Sequence, residues 1–105
     1  MFESINESLF DATVLDNKGL VVVDFNADWC GPCQILGPVL AALAEEHPAI
    51  KFVSVNVDEN EQLAEKYQVL SIPCVVFFKN GQEVKRNTGF LPKTVINNIL
   101  QELQA

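Results

Sequence analysis

The sequence predicts an α/β fold in which a mixed central β-sheet of about five strands is flanked by four helices. Short runs of apolar, often β-branched residues alternate along the chain with segments of helical apolar spacing, which implies parallel strands. Near the C-terminus, two strand-like runs flank Asn80-Gly81, the pair most typical of an antiparallel hairpin. The chain has 105 residues, of which 49% are hydrophobic, so it can bury roughly two-thirds of its unfolded surface. We expect a single domain spanning residues 1–105.

The first half of the chain is predicted to form one helix, the central strand and a second helix. Ser4-Ile5-Asn6-Glu7 matches a capping box that would open the first helix, and any strand before it is weakly supported. The apolar run 20–25 contains only one polar residue, Asp24, as expected of a parallel strand buried on both faces. Pro38 should kink the second helix, and Pro48 should end it. The second helix has an apolar stripe. Its members are Ile35, Leu36, Val39, Leu40 and Leu43.

The second half is predicted to form a third strand, a short helix, a hairpin and a last helix. Residues 51–57 form the strand, and Asp58 or Asn60 can cap the short helix that follows. Two further strands flank the Asn80-Gly81 turn. Pro92 should open the last helix, which has one apolar face. That face comprises Val95, Ile96, Ile99, Leu100 and Leu103.

Two cysteines, Cys30 and Cys33, lie where the central strand leads into the second helix. Two residues between cysteines in this setting are typical of a redox pair. If Pro32 takes the first helical position, Cys30 is the N-cap, where unpaired N–H groups and the helix dipole favour a thiolate. Cys33, one turn further, is within disulfide reach. One thiol, exposed to solvent, can attack a disulfide, and the other can resolve the mixed disulfide.

Three other interpretations of the pair are less favoured. A structural disulfide closing so short a loop would contribute only about 2 kcal/mol. A zinc or iron–sulfur site needs more ligands, and Cys74 and His47 do not form a second pair, so no metal is predicted. Two inert buried thiols are also conceivable, but they do not suit a position beside the Gly31-Pro32 turn.

Charge and composition exclude several classes of protein. The net charge of −7 disfavours nucleic acid and anionic membranes as partners, and no apolar run reaches membrane-spanning length. Residues 1–4 show neither the basic nor the apolar region of a signal peptide, although a processed chain could have lost one. Three cysteines, an odd number, do not suggest a secreted disulfide scaffold. We therefore expect a cytoplasmic protein.

Four motifs, in this order and at this spacing, resemble the thioredoxin family from about Ser4 to Leu103. They are Val23-Asp24-Phe25, Trp29-Cys30-Gly31-Pro32-Cys33, Ser71-Ile72-Pro73 and Lys79-Asn80-Gly81. The resemblance implies a monomeric thioredoxin fold that reduces disulfide-containing proteins without a bound cofactor. It also implies recycling by a thioredoxin reductase that carries flavin and uses NADPH.

The resemblance also implies roles for individual residues. Cys30 would attack the substrate, and Asp24 would be a buried acid that helps to deprotonate Cys33 through water. From burial alone, an unpaired carboxyl in an apolar strand should have a raised pKa, unless it pairs with a lysine or caps a neighbouring element. The Ile72–Pro73 bond would be cis and pack against the cysteines, although spacing alone predicts trans.

A substrate-binding surface is expected around the pair. Its members are Trp29, Gly31, Pro32, Ile72, Pro73, Gly89 and Phe90. Trp29 walls the groove or belongs to the core, and Gly89 permits close backbone approach or forms a simple bulge. Phe90 suits groove and core equally. Cys74, where threonine is more usual in the family, is either a buried strand residue or a third thiol that modulates the pair.

Three positions depart from the family pattern, and two of these departures remove a positive charge. Gln34, Asn26 and Ser54 stand where the family commonly has a basic residue, a second tryptophan and a lysine, respectively. Two local positive charges are thus missing, and Asp28 adds a negative one. We expect Cys30 to be less acidic than in a lysine-bearing relative, and Asp24 to be harder to ionise.

Two other functions remain open. One is an oxidant or isomerase of an oxidising compartment, although Gly31-Pro32 between the cysteines resembles the reductants of the family. The other is a redox-gated binding module that docks a partner around Trp29 and Pro73. The intact pair Cys30 and Cys33 favours chemistry.

Overall fold

The computed structural model describes residues 2–105, which form a five-stranded sheet with helices on both faces. The strands are β1 (Glu3–Ser4), β2 (Leu20–Asn26), β3 (Lys51–Asn56), β4 (Cys74–Lys79) and β5 (Gln82–Thr88). The helices are α1 (Glu7–Phe10), α2 (Gly31–Glu46), α3 (Glu61–Lys66) and α4 (Lys93–Gln104), and a π-helical turn, Asp11–Leu15, continues α1. The predicted α/β class with a mixed sheet and four helices is confirmed.

The sheet has the strand order β1-β3-β2-β4-β5. β3 pairs in parallel with β1 and β2, whereas β4 pairs antiparallel with β2 and β5. β2 is therefore the central strand, and its first six residues are buried. This explains why its sequence is a continuous apolar run rather than an alternation of polar and apolar residues.

Two layers of core cover the two faces of the sheet. On one face, α1 and α3 pack against the side chains of Val21, Val23 and Phe25. On the other, α2 and α4 pack against Leu20 and Val22. Because side chains of a strand alternate between faces, the residue at position 24 projects toward α2, which starts at the cysteine pair.

The N-terminal cap differs from the predicted capping box. Ser4 belongs to β1, where it pairs with Ser54, and the residue that caps α1 is Asn6, whose Oδ1 accepts a hydrogen bond from the Leu9 amide (3.2 Å). The capping box was wrong because backbone pairing with β3 holds Ser4 in extended conformation. A two-residue strand is too short to show a periodicity of its own.

Helices α1 and α3 also cap each other. The Glu7 amide donates to the Asn60 side-chain oxygen (3.1 Å), and the Glu7 carboxylate accepts from the Leu63 amide (3.1 Å). Asn60 was one of the two predicted caps of α3; it stands at that position, but its side chain serves α1 instead. The two helix N-termini are thus satisfied by tertiary contacts.

Three prolines were predicted to shape α2: Pro32 at its start, Pro38 within it and Pro48 after its end. Gly31 is its first residue and Pro32 its second, one position later than predicted, where a missing N–H still costs no hydrogen bond. Pro38 lies inside the helix without ending it, and the helix stops at Glu46 before His47-Pro48.

Among residues 2–105, no helix has both the length and the hydropathy needed to cross a bilayer.

The predicted hairpin between β4 and β5 is confirmed. Asn80 and Gly81 both have positive φ angles, 55° and 77°, as the tight hairpin turn requires. A Cβ atom at position 81 would lie 2.3 Å from the Leu15 carbonyl oxygen. The glycine is thus required both by the turn and by the close approach of the segment that follows α1.

We predict that Gly81→Ala lowers the free energy of unfolding by about 3 kcal/mol, the sum of left-handed strain and a backbone clash. Urea denaturation followed by far-UV circular dichroism measures this loss. Gly19→Ala is the matched control, since its Cβ would meet only a side-chain oxygen, that of Asn17 at 3.3 Å. Equal stability of the two variants would contradict the prediction.

Candidate active site

The structure brings Cys30 and Cys33 together at the start of α2. Cys30 is the N-cap, and its Sγ accepts a hydrogen bond from the Cys33 amide (3.3 Å). The two residues form a disulfide, with Cα atoms 5.2 Å apart, a separation typical of disulfides. Because α2 begins shortly after β2 ends, the pair lies at the C-terminal end of the central strand.

The expectation of an exposed Cys30 sulfur was wrong for this oxidised form. Cys30 is only 4% exposed, and Ala27, Val57 and Ile72 pack around the pair. A disulfide-exchange partner therefore has to approach through the surface that surrounds the pair.

The segment that covers the cysteines contains a cis Ile72–Pro73 peptide bond, as the family resemblance implies. Ile72 packs against the cysteine cluster. The Pro73 carbonyl accepts a hydrogen bond from the Gly89 amide (2.7 Å). The residues predicted at positions 72, 73 and 89 are thus joined in one surface beside the disulfide.

Trp29 belongs to the surface, so the alternative of a core tryptophan was wrong. It is 72% exposed, and its Nε1 donates to the Asp58 carboxylate (2.8 Å), which fixes the indole beside the pair. The indole borders an open groove of about 330 Å³. The groove is lined by Trp29, Val57, Val69, Leu70, Ser71 and Ile72.

Leu70 was missed by the sequence analysis. It is 94% exposed at the rim of this groove, in a segment that belongs to no helix or strand. The available signal was a large apolar residue next to Ser71-Ile72-Pro73 that no apolar periodicity includes. A leucine so exposed next to other apolar groups is typical of a contact surface.

The remaining predicted surface residues differ in their structural roles. Gly31 and Pro32 are exposed on the first turn of α2. Gly89 has φ of 96°, and a Cβ atom placed on it would have no neighbouring atom within 4 Å, so the backbone conformation requires the glycine and crowding does not. The register shift of this hairpin lies at Phe77/Phe78, and Gly89 follows the last residue of β5. Phe90 is 45% exposed and does not belong to the core.

Asp24 is buried beneath the pair, on the face of β2 that α2 covers. Its Oδ2 accepts a hydrogen bond from the Asn26 amide (3.3 Å), and its Oδ1 has no hydrogen-bond partner within residues 2–105. Neither a lysine partner nor a capping role was found for this carboxyl in the described part of the chain. Burial raises the pKa of Asp24 to about 6, partly offset by the Asn26 hydrogen bond.

A cavity of about 360 Å³ connects this carboxyl with the cysteine pair. It is lined by Phe2, Ser4, Asp24, Asn26, Asp28, Cys33, Gln34, Gly37, Pro38 and Ser54. None of these lining residues is a lysine or arginine. Gln34, which replaces a common basic residue, donates to the Asp28 carbonyl instead (3.3 Å). The cavity therefore offers a route for protons between Asp24 and Cys33 that lacks a neighbouring cation.

Cys74 lies in the other core layer, among residues that pack against α1 and α3. Its thiol is buried within 3.9 Å of the Thr88 hydroxyl, and burial raises its pKa. A buried thiol with a raised pKa is a weak nucleophile. The geometry thus favours the buried strand residue over a third redox thiol.

Comparison with known proteins agrees with this geometry. A family model described as "Thioredoxin" matches residues 1–102. The chain belongs to the thioredoxin family. A thioredoxin of Chlamydia pneumoniae is 42% identical over 102 residues, covering 97% of this chain and 98% of that protein. "Thioredoxin 1" of a Nostoc species is 42% identical over 99 residues, covering 93% and 92%.

Membership of the thioredoxin family and the bonded cysteine pair together establish the class of reaction. The protein is a thiol–disulfide oxidoreductase that reduces protein disulfides by dithiol–disulfide exchange. Cys30 and Cys33 are the two cysteines of the described chain that stand within bonding distance of each other.

We predict that Asp24→Asn stabilises the protein by about 3 kcal/mol at pH 7, because the folded-state pKa is about 6 and the ordinary value 3.8. Between these values the unfolded chain ionises while the folded protein keeps its proton. The parent therefore loses stability as the pH rises through this window, and the loss persists above it. Below pH 3.8 the two proteins should be equally stable.

Urea denaturation at pH 3.5 and pH 7 measures this difference. Asp28→Asn is the matched control, since it removes the same charge from an exposed residue lining the same cavity, and it should change stability little at either pH. A parental stability of Asp24→Asn at pH 7 would show that Asp24 ionises freely in the folded protein.

Proposed function

We propose that Cys30 is the nucleophile that attacks substrate disulfides. Its thiolate bonds to one substrate sulfur, the substrate S–S bond breaks, and the other sulfur leaves as a thiolate. The observation that carries this assignment is the position of Cys30 as N-cap of α2, where the Cys33 amide donates to its sulfur (3.3 Å). A backbone donor and the positive helix end both stabilise the anionic sulfur.

In the second step, Cys33 resolves the mixed disulfide. Its thiolate attacks the Cys30 sulfur and forms the Cys30–Cys33 bond. The bond between Cys30 and the substrate sulfur breaks, and that sulfur leaves as a thiolate. Asp24 accepts the proton of the Cys33 thiol through the cavity that both residues line. The pKa of about 6 for this carboxyl supports the role, because an acid that titrates near neutral pH can both take up and release a proton.

The substrate lies across the groove around the pair as an extended segment. The exposed indole of Trp29 and the exposed side chains of Leu70 and Phe90 support apolar contact with it. Ile72 packs against the disulfide, Pro73 follows it, and Gly89 leaves open space above its backbone. Gly31 and Pro32 face the same approach from the first turn of α2.

The partners and setting follow from this chemistry. We assign the reduction of the oxidised protein to a flavin-containing, NADPH-dependent thioredoxin reductase, because the chain supplies only the two thiols that become oxidised. We place the protein in the cytoplasm, because a free Cys74 suits a reducing compartment. We expect it to be a monomer that consists of a single domain. The net charge of −7 disfavours nucleic acid as a partner.

We predict that Cys33→Ser accumulates a mixed disulfide between Cys30 and substrate, because the first step proceeds and the resolving thiol is gone. Rapid acid quench and mass spectrometry of the reduced variant with insulin detect it. Cys30→Ser should form no such adduct and show no insulin reduction. Adducts that form through Cys33 in the Cys30→Ser protein would reverse the assigned roles.

The same pair of variants tests the binding-module alternative. A redox-gated binder should still bind its partner when either cysteine is replaced. Its parent protein, with both cysteines present, should also reduce little insulin. The equilibrium of the Cys30–Cys33 pair with glutathione tests the other alternative, since an oxidant or isomerase would remain dithiol against a more oxidising buffer than a reductase does.

We predict that Leu70→Ser raises KM for a protein disulfide about tenfold, the effect of about 1.4 kcal/mol of lost apolar contact. Reaction with a small aromatic disulfide and the free energy of unfolding should stay unchanged, because Leu70 is 94% exposed. Val84→Ser, an exposed apolar residue of β5 outside the groove, is the control. A parental KM for Leu70→Ser would remove Leu70 from the substrate surface.

A further inference from the structure

Asn26 makes a set of contacts that the reaction as described does not use. Its Nδ2 lies 2.6 Å from the Ser54 hydroxyl, 3.0 Å from the Asp24 carbonyl and 3.3 Å from Asp24 Oδ2. The carbonyl can only accept a hydrogen bond, so it identifies the contacting atom as the amide nitrogen. Ser54 is opposite Asp24 in the β2–β3 ladder. The amide is thus anchored to both strands while it contacts the carboxyl.

This contact distinguishes the two oxygens of the Asp24 carboxyl. Oδ2 faces an N–H donor and must act as acceptor, so in the neutral acid the proton belongs on Oδ1. Oδ1 has no hydrogen-bond partner among residues 2–105, and the carboxyl lines the cavity that Cys33 also lines. The oxygen left without a partner is therefore the one that exchanges the proton.

Within the described residues, the cavity beside the ionised carboxyl is lined by no cation. The titratable groups that line this cavity with Asp24 are Cys33 of α2 and Asp28 of the connection before it. The residue of β4 opposite Asp24 is Val75, and Cys74 lies on the other face of the sheet. The nearest groups of β1 and β3, Ser4 and Ser54, carry no charge. Burial opposes ionisation of the carboxyl, and a neutral thiol does little to support it. The Asn26 amide is thus the group of these surroundings that favours the charged form.

We propose that Asn26 is a positioning residue, which holds Oδ2 of Asp24 and thereby leaves Oδ1 to receive the Cys33 proton. This inference rests on the proposed role of Asp24 as proton acceptor. The S–H bond of Cys33 breaks, and its proton reaches Oδ1 through the cavity. The sulfur lone pair forms the bond to Cys30, the Cys30–substrate bond breaks, and the departing sulfur takes a proton from solvent.

Asn26→Leu tests the proposal, because leucine has a similar size and no donor. The pH midpoint of mixed-disulfide resolution should move upward, and the rate at pH 7 should fall about threefold to tenfold. At pH 9 the difference should disappear, since Asp24 is then ionised in both proteins. Rapid acid quench and mass spectrometry with a disulfide peptide follow the mixed disulfide as a function of pH.

A double variant shows whether Asn26 acts through Asp24. In the Asp24→Asn background, Asn26→Leu should cause no additional slowing of resolution, because the carboxyl it positions is absent. Equal slowing by Asn26→Leu in both backgrounds would overturn the proposal, since the effect would then be structural.

The titration of Asp24 in the oxidised protein gives a readout independent of activity. Carbon-13 NMR of the carboxyl should show its titration displaced upward in Asn26→Leu and less so in Ser54→Ala, which only loosens the amide. Ser54→Ala carries the test if Asn26→Leu does not fold. If the folded variants titrate Asp24 and resolve the mixed disulfide as the parent does, the proposed role of Asn26 is overturned.

The proposed function fails in a different way. If Asp24→Asn resolves the mixed disulfide at the parental rate over the whole pH range, Asp24 is not the proton acceptor, and Asn26 has no transfer to assist. If Asp24→Asn slows resolution while Asn26→Leu leaves it unchanged, the role of Asp24 stands and that of Asn26 is overturned.

Discussion

The arrangement of this site depends on a central strand that is buried on both faces and ends just before a helix begins. β2 lies between β3 and β4, so its position is held by backbone pairing on both edges. Alternation directs the side chain of Asp24 toward α2, and the short connection makes Cys30 the cap of that helix. Asp24, Cys30 and Cys33 thus take their relative positions from one strand–helix junction.

The buried acid at this junction lowers the stability of the folded protein when it ionises. Asp24 is 3% exposed, and its ionised form is disfavoured by burial. The positions where the family commonly has tryptophan and lysine are here Asn26 and Ser54, which contact each other (2.6 Å). These two departures therefore form one unit, in which a neutral amide replaces a positive charge. A neutral donor stabilises the carboxylate less than a cation does, which agrees with a pKa that remains as high as about 6.

Features that depend on local sequence could be predicted, and features that depend on distant contacts could not. The disulfide pair, β2 and the Asn80-Gly81 turn follow from residue type and spacing within a few positions. The exchange of caps between Glu7 and Asn60 spans 53 residues, and no local pattern signals it. The amide contact of Asn26 likewise requires the β2–β3 register, since Ser54 is 28 residues away.

The burial of Cys30 leaves the apolar side chains around it as the accessible surface. Cys30 is 4% exposed in the oxidised form, whereas Trp29 is 72% and Leu70 94% exposed, so an approaching protein meets these two side chains first. A disulfide in a flexible, extended segment can enter between them, and the contacts it makes there bury apolar area on both partners.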